Sequence, residues 1–415
     1  MDEQSKSWLS EVPIEEWVET YGTPMYVYSL PQLRQRSMEF REAFGSNVSL
    51  FYAMKANPNI HLVESMKQEG LIDGVDIASP GEWAIARKAG WSNDSLSYTG
   101  PGKRRNDIQQ AIHHEVGTLC VESVHELRMV IDECQTLGKP VGIMIRLNPP
   151  EAVHAFGMRI AGLPGPFGMD DNEMLDAVEV IRANQEWLQF QGVHMHAGSQ
   201  CFSAKAYARS MQQLLHLVDT IEEMGLSVPG MNVGGGLGLS YWTPQKSISV
   251  KGIASHLRGM LHGRDKNLQV RMEPGRWLLG PAGAYISRVV RTKESYGKHI
   301  CITDGGIHHH YEATLSDLPT GKMKPWIENL SNPDAEPLTT DVTGCLCTTR
   351  DRLGRDIPLP SPKEGDLLAW PNMGAYGMCA SPILFLGHPT PLELLYDGEN
   401  VRPIRRRYDI TEWTE

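Results

Sequence analysis

The sequence predicts an α/β protein, a (β/α)8 TIM barrel followed by a mostly β domain, from three observations. From about residue 48, apolar and β-branched runs alternate with amphipathic stretches of helical period, which is typical of βα units around a parallel sheet. Eight such units fit into about 250 residues, the number and size of a TIM barrel. Beyond residue 280 the alternation gives way to short strand-like runs separated by Gly, Pro and Asp.

The barrel strands can be assigned in order along the chain. An open, doubly wound sheet is the alternative, but it needs a switch point in the strand order that nothing in the sequence marks. The predicted strands are 48–56, 74–79, 96–101, 118–123, 141–149, 188–198, 230–236 and 268–276.

These assignments predict two domains. The barrel is expected over residues 31–280, and a β-rich domain is expected from residues 1–30 together with 281–415. The strand-like segment GTPMYVYS (22–29) precedes the barrel, so we expect it to pair with strands of the C-terminal part.

Composition excludes several classes of protein. The 415 residues include 39 Lys+Arg and 50 Asp+Glu, a net charge of −11, without the basic stripe of a nucleic-acid partner. No apolar run reaches about 18 residues, and the N-terminus lacks the parts of a signal peptide, so we expect a soluble, cytoplasmic protein that binds no membrane. Seven cysteines without a CxxC pair predict free thiols.

Polar residues at predicted strand ends are the candidates for chemistry, because a TIM barrel has its active site there. Lys55 ends the first strand, in YAMKAN. A lysine at such a place is usually a solvated surface group, but inside a barrel mouth it can form a Schiff base with a carbonyl.

The last two barrel units predict a phosphate site. The seventh ends in GGGLG (234–238), where backbone amides can approach an anion, and the eighth ends in EPGR, with Glu273, Gly275 and Arg276. Loops after strands seven and eight commonly hold phosphate in TIM barrels, and Arg suits bidentate phosphate contacts. The alternative is a structural ion pair between Glu273 and Arg276.

Two groups of histidines raise the question of a metal. His194 and His196 lack acidic or cysteine partners at a recognisable spacing, so core or stacking roles are favoured. His308, His309 and His310 are consecutive, and neighbours along a chain cannot easily chelate one ion together. The sequence therefore predicts no metal site.

Together the barrel residues suit pyridoxal phosphate (PLP). Lys55 would hold the aldehyde, and the glycine loop, Ser199 and Arg276 would hold the phosphate. Glu273 would keep the pyridine nitrogen protonated, and a flat histidine would cover one face of the ring.

From YAMKANPN (52–59) to MGAYG (373–377), the motifs resemble the alanine-racemase-like, fold-type III PLP enzymes, specifically the ornithine and diaminopimelate decarboxylase group. The resemblance implies that Lys55 is the Schiff-base lysine and that His196 stacks on the pyridine ring. It also implies that Glu273 pairs with the pyridinium and that Asp76 opens the family's Asp/Ser/Gly/Glu element. The implied phosphate ligands are Ser199, Gly235, Gly236, Gly275 and Arg276.

The resemblance extends to the C-terminal part. GCLCTTRD (344–351) is similar to the family's Gly-Pro-Leu-Cys-Glu-Ser-x-Asp element, which makes Cys347 the cysteine that returns a proton to Cα. Tyr376 resembles the tyrosine near phosphate and substrate. In the family the cysteine segment enters the neighbouring subunit's site, so the resemblance implies a homodimer with shared active sites.

Departures from the family pattern concern the substrate. Thr348 stands where diaminopimelate decarboxylases have Glu, Cys345 replaces the usual Pro, and the segments 304–313 and 383–388 differ from those of both main groups. The departures resemble the branch of siderophore, aminoglycoside and exopolysaccharide pathways, where the amino acid is conjugated or carrier-bound. We expect α-decarboxylation of an L-amino acid or its conjugate in siderophore or other secondary-metabolite biosynthesis, with His308, Cys347, Thr348 and Tyr376 near the substrate.

Three alternatives stay open at this point. One is a diaminopimelate decarboxylase of lysine biosynthesis. A second is an amino-acid racemase, which would need a tyrosine base and usually an Arg at the pyridine nitrogen, so Glu273 argues against it. The third is a non-catalytic homologue that has lost PLP.

Overall fold

The computed structural model describes residues 6–242, 247–264, 268–314 and 325–413. Backbone contacts divide the chain into two units. The barrel unit comprises Arg36–Gly238 and Ser247–Trp277, and the sheet unit comprises Met1–Gln35, Leu239–Lys246 and Leu278–Glu415. Residues 239–242 fall in the predicted barrel domain but belong to the sheet unit.

The chain starts with helix α1 (Ile14–Tyr21), strand β1 (Met25–Ser29) and helix α2 (Leu30–Phe44). The spacing of Ile14, Trp17 and Val18 places these three buried side chains on one face of α1. Across the described ranges, we find no helix whose length and apolarity would let it span a bilayer.

Eight parallel strands close into a barrel, which confirms the predicted fold class. Every predicted barrel strand has an observed counterpart that is shorter than the predicted run, and closure joins the last strand to the first. Several strands are buried at every position, as expected where helices cover the outside of a parallel sheet. The barrel strands are β2 (Val48–Ala53), β3 (Gly74–Ile77), β4 (Leu96–Tyr98), β5 (Thr118–Val121), β6 (Val141–Arg146), β8 (Leu188–His194), β10 (Gly230–Asn232) and β11 (Gln269–Met272). A small antiparallel pair, β7 (Phe156–Arg159) and β9 (Gly198–Cys201), lies outside the barrel sheet.

Helices follow the barrel strands, and several begin at a side-chain cap. Ser79, Ser123, Asp170 and Ser203 each accept a hydrogen bond from the backbone amide three residues later, which satisfies a donor that the helix leaves unpaired. The helices are α3 (Ile60–Gln68), α4 (Pro80–Lys88), α5 (Arg105–His113), α6 (Val124–Leu137), α7 (Asp171–Ala183), α8 (Ala204–Glu223), α9 (Val250–Leu261) and the short α10 (Arg276–Leu279).

The sheet unit is a nine-stranded sheet with β1 in its interior. As expected for segment 22–29, β1 pairs with C-terminal strands, antiparallel to β12 and parallel to β18. Met25, Val27, Ala284 and Leu394 of these strands form one buried core with Val18 of α1. The remaining strands are β12 (Gly283–Ser295), β13 (Lys298–Thr303), β14 (Glu328–Asn329), β15 (Pro337–Thr343), β16 (Arg352–Pro360), β17 (Leu367–Trp370), β18 (Leu392–Tyr396) and β19 (Val401–Arg405).

Candidate active site

Lys55 lies just beyond the carboxyl end of β2. It belongs to a one-turn 3-10 helix, Met54–Ala56, and its side chain is exposed between two buried neighbours. The strand and the turn therefore fix the backbone while the amine stays accessible, at the end of the barrel where TIM-barrel enzymes carry their chemistry.

Glu273 is a buried carboxylate that follows β11. Its Oε1 accepts a hydrogen bond from Asn232 Nδ2 at 2.5 Å, and its Oε2 lies 3.4 Å from His194 Nε2. Burial alone raises the pKa of Glu273, but His194, Asn232 and Arg271 outweigh burial and bring this pKa to about 2. Residues at the ends of three strands thus keep Glu273 negatively charged and fixed in position, as required to pair with a protonated pyridine nitrogen.

Asp76, at the end of β3, is a second buried carboxyl group in the same barrel mouth. Thr99 Oγ1 donates a hydrogen bond to Asp76 Oδ1 at 2.7 Å. Burial and the charge of Glu273 raise the pKa of Asp76 to about 7, although Lys55 opposes this rise. The two carboxyl groups are therefore separated in pKa, and Glu273 is the one that keeps its charge at neutral pH.

His196 and His194 have different environments although they lie two residues apart. The backbone amide of Gly235 donates to His196 Nδ1 at 3.2 Å, so the ring hydrogen must lie on Nε2. Burial, with help from Lys55 and Arg146, lowers the pKa of His196 well below its usual value. His194 instead lies between Glu273 and Cys120, whose Sγ is 3.3 Å from His194 Nδ1. His196 is thus a neutral ring in a fixed orientation, and His194 is part of the buried network around Glu273.

The glycine loop after β10 is packed so tightly that side chains are excluded. A Cβ at Gly235 would lie 2.4 Å from the carbonyl oxygen of Glu273, and one at Gly236 would lie 2.1 Å from that of Gly198. Gly236 also has a φ of +90°, which favours glycine. The amide hydrogen of Gly235 is already bonded to His196, so in this structure Gly235 orients the histidine.

The other predicted phosphate ligands belong to the same barrel unit. Ser199 is a half-buried residue of β9, and this strand is bonded to the glycine loop through the Cys201 amide and the Gly236 carbonyl, at 3.0 Å. Gly275 approaches the loop of Lys55 so closely that a Cβ there would lie 2.8 Å from Ala56 Cβ. Arg276 follows directly and is half-buried. These residues fit PLP. Lys55 has an accessible amine, Glu273 is a buried, ionised carboxylate, and the glycine backbone is packed too tightly for side chains.

The barrel mouth also contains charged residues that sequence reasoning did not identify. Arg146 ends β6, and its guanidinium contacts both carboxylate oxygens of Glu122, at 3.0 and 3.1 Å, with both side chains buried. Lys103 forms a second buried ion pair with Glu126 at 2.9 Å. A charged residue ending an otherwise apolar strand, as Arg146 does in VGIMIR, is the signal that could have identified Arg146 as a candidate, although not its partner Glu122.

Cys347, Thr348 and Tyr376 lie in the sheet unit. Cys347 is exposed, and Thr348 is half-buried with its Oγ1 accepting a hydrogen bond from the Arg350 amide at 3.3 Å. Tyr376 is half-buried and has a φ of +54°, a strained conformation for a tyrosine that is most often found at functional sites.

The three consecutive histidines are buried in the sheet unit. Burial lowers the pKa of His308 to about 4 and that of His310 to about 3, and it holds the pKa of His309 well below its usual range. All three rings are therefore neutral at pH 7. His308, which is expected near the substrate, is one of these buried and neutral rings.

Comparison with known proteins identifies the family. A family model described as "Pyridoxal-dependent decarboxylase, pyridoxal binding domain" matches residues 30–280. The chain is 32% identical over 410 residues to the L-glutamyl-(BtrI acyl-carrier protein) decarboxylase of Niallia circulans, covering 96% of this chain and 94% of that enzyme. It is 30% identical over 407 residues to the diaminopimelate decarboxylase of Aquifex aeolicus, covering 96% of this chain and 92% of that enzyme.

A solved structure agrees with this result. Diaminopimelate decarboxylase from Helicobacter pylori, complexed with L-lysine, superposes with a TM-score of 0.86 at 28% identity, covering 96% of this chain and 98% of that one. The chain therefore belongs to the family of pyridoxal-dependent decarboxylases, as an amino-acid decarboxylase that uses PLP.

Proposed function

We propose that the enzyme removes the α-carboxylate of an L-amino acid whose distal end is neutral, anionic or conjugated, rather than a free ammonium group. The observation that carries this proposal is Thr348, the residue after Cys347. By the family resemblance, an acidic residue at this position binds the distal ammonium of diamino-acid substrates. A neutral threonine leaves such a cation unpaired, and a desolvated, unpaired charge typically costs several kcal/mol.

The relative from Niallia circulans supports the same substrate class. Its name states that it acts on an L-glutamyl group carried by an acyl-carrier protein, and the similarity extends over 96% of the present chain. A glutamyl group has a carboxyl group, and no ammonium, at the end of its side chain. We therefore propose a carrier-bound or otherwise conjugated substrate, with a role in the biosynthesis of a siderophore or another secondary metabolite.

The residues of the barrel mouth have separate tasks in this proposal. PLP, when bound, supplies the electron sink that accepts the electron pair left when CO₂ departs. Lys55 would anchor the cofactor, and Arg276, Ser199 and the glycine backbone would hold its phosphate. Glu273 would stabilise positive charge at the ring nitrogen, and the neutral ring of His196 would lie against the cofactor ring without adding charge.

Return of the proton to Cα is assigned to Cys347, an exposed thiol. By the family resemblance, this cysteine acts in the barrel of the neighbouring subunit, so we propose a homodimer with shared sites. Tyr376, Thr348 and the loop of His308 are the proposed surroundings of the substrate.

A second candidate function is diaminopimelate decarboxylation. It is favoured by similarity over nearly the whole chain to enzymes of that name, such as the one from Aquifex aeolicus. Thr348 is the observation against it.

The experiment is CO₂ release measured across a substrate panel. The panel contains meso-diaminopimelate, lysine, ornithine, free glutamate, a glutamyl thioester of pantetheine, and a citryl-amino-acid conjugate. We expect the conjugates to be preferred in kcat/KM by at least about tenfold, equivalent to about 1.4 kcal/mol. Efficient turnover of the diamino acids with no gain for acidic or conjugated substrates would overturn the proposal.

A charge substitution tests the argument from Thr348 directly. Thr348→Glu should move preference toward lysine, ornithine or diaminopimelate, whereas Thr349→Glu adds the same charge one residue away, at an exposed position, and should leave preference unchanged. Equal shifts in both variants would show that general electrostatics, and not this position, sets specificity.

Sharing of the site between subunits is tested by mixing inactive variants. Lys55→Ala and Cys347→Ala each remove one of the two contributions, so a mixed dimer contains one site with both residues. Partial recovery of activity after subunit exchange is expected, and no recovery in a mixture shown to contain hybrid dimers refutes the shared site.

A further inference from the structure

Three consecutive histidines in the sheet unit differ in what their rings contact. His309 Nε2 lies 2.7 Å from the Pro389 carbonyl oxygen, and His310 Nδ1 lies 3.1 Å from the Tyr26 hydroxyl. His308 is fully buried, yet within the described residues neither of its ring nitrogens has a hydrogen-bond partner. A buried imidazole with both nitrogens unsatisfied costs free energy that the fold must otherwise supply.

Two further ligand-type side chains converge on this ring. His308, Cys345 and His388 each place one donor atom so that the three atoms lie within 4.8 Å of one another. The rings of His308 and His388 have centroids 5.0 Å apart. Cys345 and His388 are half-buried, so the cluster has one buried side and one side that solvent can reach.

The backbone around the cluster is held by one carboxylate. Asp351 accepts hydrogen bonds from the amides of Ile307, at 2.8 Å, and Leu346, at 2.7 Å. Ile307 precedes His308 and Leu346 follows Cys345, so Asp351 ties together the two loops that carry these residues.

Glycines allow the same two loops to approach Asp351 closely. A Cβ at Gly306 would lie 2.5 Å from one carboxylate oxygen of Asp351, and a Cβ at Gly344 would lie 2.3 Å from the other carboxylate oxygen. Asp351 thus positions the two loops, and it would have to move if either glycine carried a side chain.

The chemistry of the three side chains fits zinc. One thiolate and two neutral imidazoles are common zinc ligands, with bonds of about 2.0–2.3 Å. In a tetrahedral arrangement such ligand atoms are about 3.3–3.8 Å apart, so the observed cluster needs to contract by only about 1 Å. The consecutive histidines cannot chelate one ion together, but the fold brings Cys345 and His388 to one of them from distant parts of the chain.

We propose that His308, Cys345 and His388 form a zinc site, with water or another ligand in the fourth position. The ion would connect three loops of the sheet unit. One of them carries Cys347, two residues beyond the ligand Cys345, so the zinc would fix the position of the segment to which the proton-donating thiol belongs.

Metal content of the purified PLP-loaded enzyme is the first test. The enzyme is incubated with Zn²⁺, dialysed and measured by elemental analysis, and we expect one bound zinc per chain. In the Cys345→Ser and His388→Gln variants, zinc affinity should fall by at least about tenfold, while Cys379→Ser, which alters another exposed thiol, should retain the wild-type content. Wild-type zinc content in both ligand variants would overturn the site.

Cobalt gives a second test that needs no variant to fold. Co²⁺ bound by a thiolate in the unmutated enzyme should produce a near-ultraviolet charge-transfer band and the intense visible bands of a tetrahedral ion. Cys347→Ser should keep these bands, because that thiol is not among the ligands. Absence of a thiolate band in the unmutated enzyme, or its loss in Cys347→Ser together with retention in Cys345→Ser, would contradict the proposal.

Discussion

Buried polar groups occur in both units, but they are stabilised in different ways. In the barrel mouth, Glu273 has Asn232 and His194 as partners, and Arg146 is paired with Glu122. In the sheet unit, the three consecutive histidines are kept neutral by burial, and His308 has no hydrogen-bond partner among the described residues. Pairing of charge between strands also occurs in the sheet unit, between Glu393 and Arg405, but the histidine run there is stabilised differently, because both ring nitrogens of His308 are unsatisfied among the described residues.

Lys55→Ala is expected to have the largest effect, because Lys55 carries an exposed amine in the barrel mouth, whereas the amine of Lys103 there is buried in an ion pair with Glu126. Activity should fall by at least about a thousandfold, and the visible absorption of lysine-bound PLP should disappear. Lys55 is exposed, so the melting temperature should hardly change. Lys88→Ala, at an exposed position of α4, is the control. An unaltered absorption spectrum in Lys55→Ala would show that another residue anchors the cofactor.

Arg276→Ala tests whether the phosphate depends on a charged side chain or on the glycine backbone alone. Charge-assisted hydrogen bonds contribute about 1.5–3 kcal/mol, so PLP affinity should fall by about ten- to a hundredfold. Titration of the apoenzyme with PLP gives the dissociation constant, and Arg128→Ala on the exposed face of α6 is the matched control. Equal retention of PLP by both variants would place the phosphate elsewhere.

Glu273→Gln keeps the shape of the side chain but removes the charge that the barrel network stabilises. We expect kcat to fall by about a hundredfold and the apoenzyme to lose about 1–3 kcal/mol of stability at pH 7. Because the pKa of Glu273 is lowered to about 2, its contribution is present above the pKa of the unfolded chain and is lost as pH falls toward 2. The stability gap between wild type and variant should therefore narrow in acid, and a gap independent of pH would indicate a purely steric role.

Asp76→Asn should change stability with the opposite dependence on pH. The raised pKa of Asp76, about 7, means that its protonated form is favoured in the folded state, so its contribution is full below the unfolded pKa and is lost as pH rises through 7. The wild-type apoenzyme should lose about 2–3 kcal/mol more than Asp76→Asn between about pH 5 and pH 8. Parallel melting curves over this range would mean that Asp76 is already ionised.

The sequence predicts the barrel well and the polar network around its mouth less well. Strand positions such as 141–149 follow from local apolar runs, and motif residues such as Lys55 and Glu273 follow from their places at strand ends. The Arg146–Glu122 pair joins the ends of two strands, and a single strand's pattern contains no sign of such a partner.

The histidine run shows the same limit more clearly. The sequence shows three consecutive polar side chains, and only the packing of distant segments shows that they are buried. The approach of His388 and Cys345 to His308 likewise depends on loops that are far apart in the chain. Local patterns therefore predict elements, while burial and partners are properties of the assembled unit.

The position of β1 has a consequence for biosynthesis. This strand is translated before the barrel sequence, but its two partners, β12 and β18, are translated only after it. During synthesis, both edges of β1 therefore stay unpaired while the barrel sequence is made, a state that favours association with other strands. Ribosome stalling before β12 should yield chains in which β1 is an aggregation-prone strand, so that strands made after the barrel protect a strand made before it.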